Sequence, residues 1–306
     1  AGKCGLMLEI KECVPTYVRS DGPCNSSLPI SACLQTLITS LSVGSLYALI
    51  ALGYTMVYGI LKFINFAHSD VVVLGAWLSF KLASKGLPRL GIDPQEAPWY
   101  AGGIVLILAM LCCGIIGFAI ERLAYKPLRR APRLNVLITA IGVSLFLQNV
   151  GQLDYVFGTQ PERMPSLLPN TDVVNVVVGS GDEAQRLVIG LVDVTTFVTA
   201  GLLMLALEFL VYRTKVGIGM RAISHDPDVA ALMGVNVNGL ISFTFILGSM
   251  LAAAAGFLYA MKYPGLNQPA HFTWVLLGLK AFVAAVLGGI GNVRGAVAGG
   301  FLIAFI

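Results

Sequence analysis

From Leu34 to Leu61 the chain runs for 28 residues without a single charged side chain. As a helix that run would be about 42 Å long at 1.5 Å per residue, more than the ~30 Å hydrocarbon core of a bilayer. Lipid offers backbone N–H and C=O groups no partner, so a span of this kind folds as a helix. Further apolar windows follow at Val71 to Leu82, Tyr100 to Ile120, Leu134 to Phe157, Leu187 to Tyr212, Val237 to Met261, Phe272 to Ile290 and Ala296 to Ile306. The expected fold is therefore an all-α polytopic membrane protein of about eight transmembrane helices. Val71 to Leu82 is short for a full crossing, so extension by its flanks or a broken, re-entrant segment is expected there. Only 12% of the 306 residues are charged, against about 25% in a soluble domain.

The few charges orient the spans. Arg122, Lys126, Arg129, Arg130 and Arg133 crowd one connection and Arg213, Lys215 and Arg221 another, and basic loops stay in the cytoplasm. The stretch between them, Gly158 to Arg186, holds Glu162, Asp172, Asp182 and Glu183 against Arg163 and Arg186, as an outer loop would. Counting back places residues 1–33 outside as well, with Lys81, Lys85 and Arg89 as the exceptions to the rule. Cys4, Cys13, Cys24 and Cys33 fall in that outer segment, where an oxidising compartment would join them in two disulfides of undetermined connectivity. Unpaired thiols are the alternative. Cys112 and Cys113 lie inside a span and read as small packing residues. Asn25-Ser26-Ser27 matches a glycosylation sequon of low specificity. The first residue is not Met and the last apolar run stops at Ile306 without a polar flank, so both ends are expected to be trimmed.

Catalytic motifs do not appear. There is no phosphate loop, no H-E-x-x-H and no G-x-S-x-G, and the three histidines are far apart in sequence, so neither an enzyme nor a metal site is expected. Gly217 to Ala222, "GIGMRA", matches a dinucleotide fingerprint, but that motif needs a strand before it and here a membrane helix precedes. In "ISHDPDVAALMGVN" Asp226 is positioned to cap a short helix that starts with Pro227 and Asp228, carries Ala230 and Ala231 and ends at Gly234. Two turns of helix are too few to stand alone in water, which points to a docking partner, or else to a helix resting on lipid headgroups. Small residues recur four apart at Gly44 and Ala48, at Gly248, Ala252 and Gly256, and at Gly291, Gly295 and Gly299, a spacing that lets helices approach closely. The last of these sits in "LGGIGNVRGAVAGG", across an expected break between spans.

Three stretches carry a likeness: "GSLYALIALGYTMVYGILKFINFAHSD", "ERLAYKPLRRAPRLNVLITAIGVSLFLQN" and "GLKAFVAAVLGGIGNVRGAVAGG". Together they resemble the H-type membrane permease of the ATP-binding-cassette importers for branched-chain amino acids, from about Leu37 onward. Ser69 stands where that family has glycine, and the cysteine-bearing head is longer than usual. The resemblance implies an ABC importer permease fold over residues 34–306 in the bacterial inner membrane. It also implies a second related permease subunit, two cytoplasmic ATPase subunits and a periplasmic amino-acid-binding protein. No cofactor would bind this chain, ATP and Mg being used by the ATPase subunits, and no nucleic acid is implied. The loop at about 213–236, with Asp226, Pro227, Asp228, Ala230, Ala231 and Gly234, then resembles a coupling helix that seats in an ATPase, although its motif is degenerate. Relatives on similar scaffolds move urea, amides or other amino acids; the competing classes are a secondary transporter, which would show inverted repeats and buried acids, and a channel, which would need a ring of like subunits.

In that setting Asn65, His68 and Asp70 form a polar turn at the cytoplasmic end of two spans, either a satisfied structural turn or part of the translocation pathway or its gate. Lys280 stands near mid-depth in an apolar span. It should have a carboxylate or carbonyl partner, the candidate acids being Glu208 and Asp70, and belongs to the pathway or to a lock between helices.

Overall fold

The structure, a computed structural model, describes residues 30–89, 91–92, 98, 100–129, 131–168, 172–178 and 185–306. The candidate disulfide residues Cys4, Cys13 and Cys24 and the sequon at Asn25 lie outside the described residues. Cys33 falls within the first helix, but its side chain lies outside them too.

The apolar windows are helices: α1 (Ile30–Leu61), α2 (His68–Lys81), α4 (Ala101–Ile120), α5 (Arg133–Gly151), α6 (Leu191–Arg213), α9 (Val237–Lys262), α10 (Phe272–Leu287) and α11 (Val293–Phe305). Among the described residues, five segments are long and apolar enough to cross a membrane, namely Leu34–Leu61, Ala101–Leu128, Leu134–Gly151, Leu191–Arg213 and Val237–Lys262. The others are shorter, at 14, 16 and 13 residues for α2, α10 and α11. α2 runs on through a π-helical stretch, Leu82–Gly86, into α3 (Leu87–Arg89), which lengthens it. α10 ends at a turn, where Gly289 and Gly291 take φ of 87° and 97°, a conformation that suits glycine, and α11 begins after it. Gly291, expected in a packing stripe with Gly295 and Gly299, is thus a turn residue; Gly299 does pack, its missing Cβ leaving room for the carbonyl of Ala284.

Small residues set the core. Ala252 to Ala255 of α9 are fully buried, and α9 packs against α1, α2, α4 and α6. A Cβ on Gly256 would lie 2.2 Å from the carbonyl oxygen of Val72, and one on Gly300 of α11 would lie 2.6 Å from the Cα of Ala48, so these helix pairs touch backbone to backbone.

Contacts sort the helix ends onto two faces. On one, the strands β1 (Glu162–Arg163) and β4 (Gly265–Leu266) pair, and the hairpin of β2 (Asp172–Val178) and β3 (Gln185–Gly190) is held to α1 by Gln35, which exchanges two hydrogen bonds with Val188 at 3.0 and 3.1 Å. The indoles of Trp77 and Trp274 donate to one acceptor there, the carbonyl of Asn267. The opposite, basic face carries Lys62, Arg129 and two short helices, α7 (Lys215–His225) and α8 (Pro227–Leu232). The stretch after Arg213, expected as a loop, is mostly helix because Thr214 caps the Gly217 N–H and Met220 and Ile223 are buried beneath it. "GIGMRA" lies inside α7, where Gly217 only lets the chain turn tightly off α6.

Candidate functional site

α1 ends at Leu61, and the next residue, Lys62, enters the left-handed region at φ 55° while its N–H still bonds the Tyr58 carbonyl at 2.9 Å. The chain then doubles back. Asn65 directs the return: its side-chain oxygen accepts the Ala67 N–H at 3.2 Å and the Tyr125 hydroxyl at 2.6 Å, while its carbonyl accepts the His68 N–H at 3.2 Å. α2 therefore begins with the His68 ring edge-on to Tyr54, centroids 4.7 Å apart, and seated on Gly53. Tyr54 precedes the end of α1 by seven positions, which places the start of α2 about 10 Å along α1 from its end. The polar turn leaves the basic face but re-enters the bundle, deeper than a surface turn would.

The three expected residues of this turn are gathered and buried, with Asn65, His68 and Asp70 only 6%, 2% and 5% exposed. Asp70 accepts from the Gln148 amide of α5 at 2.9 Å. Its second oxygen and Nε2 of His68 have no partner among the described residues. Such groups at membrane depth are costly to keep. Beside them, between α5 and α10, opens a cleft of about 310 Å³ lined by Tyr54, Phe66, Ser69, Ser144, Gln148 and Phe282. Ser69 fits because the residue facing it across the cleft is Gly278; a Cβ there would sit 2.3 Å from that of Ser69. Gln148, beside Asn149 near the end of α5, was readable as a polar group inside a span and was missed.

Lys280 is not part of this cluster. Both acids expected to pair with it are engaged elsewhere, Asp70 with Gln148 and Glu208 with Arg294 at 2.7 Å. It projects instead from the exposed side of α10, among Leu276, Leu279 and Val283.

On the basic face, α8 is capped as expected: Asp226 accepts the N–H groups of Asp228 and Val229 at 2.9 and 3.1 Å, and Gly234 ends the helix at φ 83°. Ala230 is buried against the body, whereas Asp226, Pro227, Asp228 and Ala231 are exposed. The residues that sequence reasoning missed are apolar: Leu232 and Met233 are 87% and 79% exposed at the tip. Two polar links tie this face to the buried turn. Lys62 reaches Ser224 of α7 at 3.4 Å. Arg129 pairs with the fully buried Glu121 and bonds Asn238 at 2.5 Å, Ser242 of α9 donates to Glu121 at 2.6 Å, and Tyr125, one turn away, holds Asn65. Among the described residues no three metal-ligating side chains converge.

Residues 36–306 match a known family, the permease component of the branched-chain amino acid transport system. The chain is 41% identical over 275 residues to the high-affinity branched-chain amino acid transport system permease protein BraD of Pseudomonas aeruginosa, covering 88% of this chain and 83% of that protein. It is 38% identical over 270 residues to LivH of Escherichia coli K12, with the same two coverages, 88% and 83%. A probable branched-chain amino acid transport permease of Methanocaldococcus jannaschii is 30% identical over 261 residues, 85% of this chain and 75% of that protein. No solved structure gives a significant match.

Proposed function

The chain belongs to the permease component family of branched-chain amino acid transport systems, and from that premise we propose that it forms half of a path by which branched-chain amino acids cross the membrane. A second permease subunit supplies the other half. Two ATPase subunits dock on the basic, cytoplasmic face, and a periplasmic binding protein delivers cargo to the hairpin face of this inner-membrane complex. The observation that carries this reading is polar chemistry on an open side of the bundle: the cleft beside Asp70, with Ser144 and Gln148, and the lysine on α10. Lipid does not solvate such groups, so that side faces a subunit or a water-filled path.

The exposed tip of α8 suits a groove in an ATPase. Motion imposed on α8 would reach the Asn65 turn by two routes, through α7 and Lys62, and through the start of α9, Arg129, Glu121 and Tyr125. Asn65, His68 and Asp70 then act as the gate between the cleft and the cytoplasmic face. The cargo is a zwitterion with an apolar side chain, and a mainly apolar cleft with few fixed charges would pass it without trapping it. ATP is consumed by the partners; this chain hydrolyses nothing.

Uptake by the complete complex in vesicles tests the reading. Leucine, isoleucine and valine should enter with ATP and binding protein, and urea should not. Rapid leucine flux through the chain alone, without ATPase subunits, would overturn it.

A further inference from the structure

We infer that Lys280, together with Tyr47, Tyr259 and Tyr263, forms a subsite in the outer half of the membrane that receives the carboxylate of an amino acid in transit, an inference that rests on the permease reading above. These four side chains from α1, α9 and its C-terminal end, and α10 line one cavity of about 200 Å³, which Thr273 also borders. Among the described residues, neither the ammonium nor any of the three phenol hydroxyls has a hydrogen-bond or ion-pair partner. All four groups can donate, and the carboxylate within electrostatic reach of Tyr263, Asp193, is paired with Lys262. The ring of Tyr259 lies between those of Tyr263 and Trp274, centroids 5.0 and 5.3 Å away, which fixes where its hydroxyl sits.

The acids nearest in topology are already engaged. Asp70 bonds Gln148, Glu121 pairs with Arg129, Asp193 pairs with Lys262, and Glu208 pairs with Arg294. Lys280 is the ninth of the 16 residues of α10, about 12 Å from its start, so the charge sits at a depth where it needs a counter-ion. A cavity smaller than the ~300 Å³ at which whole-ligand pockets begin accommodates a charged head, leaving the apolar side chain outside. An open, single-lysine site of this kind holds its ligand weakly, as a path must.

The test uses the complete transporter in vesicles, with L-leucine as the probe. Lys280→Met should lower the kcat of uptake about tenfold or more, the loss expected of one hydrogen bond to a charged group. ATP hydrolysis stimulated by leucine-loaded binding protein should stay near the wild-type rate, and Lys280→Arg should retain most uptake. Tyr47→Phe and Tyr259→Phe should each cost about threefold. Lys280→Cys should be slow, then recover when an aminoethyl thiosulfonate reagent restores an ammonium, but not with the neutral methyl reagent, the wild type serving as control. Wild-type uptake by Lys280→Met, or failure of the ammonium to rescue an assembled Lys280→Cys complex, would overturn the subsite. So would loss of permease pairing in Lys280→Met, which would assign Lys280 to an acid of the second permease. Absence of ATP-dependent leucine uptake by the wild-type complex would instead defeat the permease reading itself.

Discussion

At the scale of single residues, two glycines decide how the buried turn fits. A Cβ on Gly53 would fall 2.2 Å from Nε2 of His68, so Gly53→Ala must push the imidazole off Tyr54. The expected cost is about 1–3 kcal/mol, as for other overpacked cores. Adding His68→Ala should recover part of it, and denaturation of both single variants and the double variant measures the coupling. Additive losses would show that the two do not press on each other. Gly278→Ala should likewise be poorly tolerated opposite Ser69 and restored by Ser69→Gly, read as the yield and unfolding temperature of the purified chain. The polar run itself was legible, since Asn65, His68 and Asp70 stand out against apolar neighbours. Their depth was not, because it depends on the αL backbone of Lys62 and on Tyr125, far away in the sequence.

Among the elements, α8 was the easiest to read. Its Asp226 cap and Gly234 stop are local signals that need no tertiary contact, and both appear in the structure. Which face it offers was illegible, because that is set by how α7 and α9 hold it. The buried Ala230 turns Leu232 and Met233 outward, so these two carry the docking prediction. Leu232→Ser with Met233→Ser should abolish co-purification of the ATPase subunits while leaving the unfolding temperature of the permease unchanged. Retention of the subunits would remove α8 from the contact. Asp226→Ala, which deletes the cap, should cost about 1 kcal/mol of local helix stability and lower uptake more than ATP hydrolysis. α7 escaped notice as a helix because its two glycines and clustered charges mimic a loop.

For the whole molecule, apolar run length foretold the order of helices and even parity sorted their ends, which the hairpin contacts and basic-face contacts then gathered onto opposite sides. What run length could not give was the partner of Lys280, since four acids compete for few cations in three dimensions and each had found another group. The break after α10 was expected from its run of glycines, but not how short it leaves that helix. That turn leaves α10 with 16 residues, about 24 Å, where lipid tails occupy about 30 Å. A bilayer meeting α10 must thin or the helix must be sheltered by a neighbour, and either adjustment costs fractions of a kcal/mol per ångström. Acyl-chain length thereby becomes a control on transport: at equal protein content, ATP-driven uptake should peak in short-tailed vesicles and decline as the membrane thickens, so that the surrounding lipid sets the pace alongside the nucleotide.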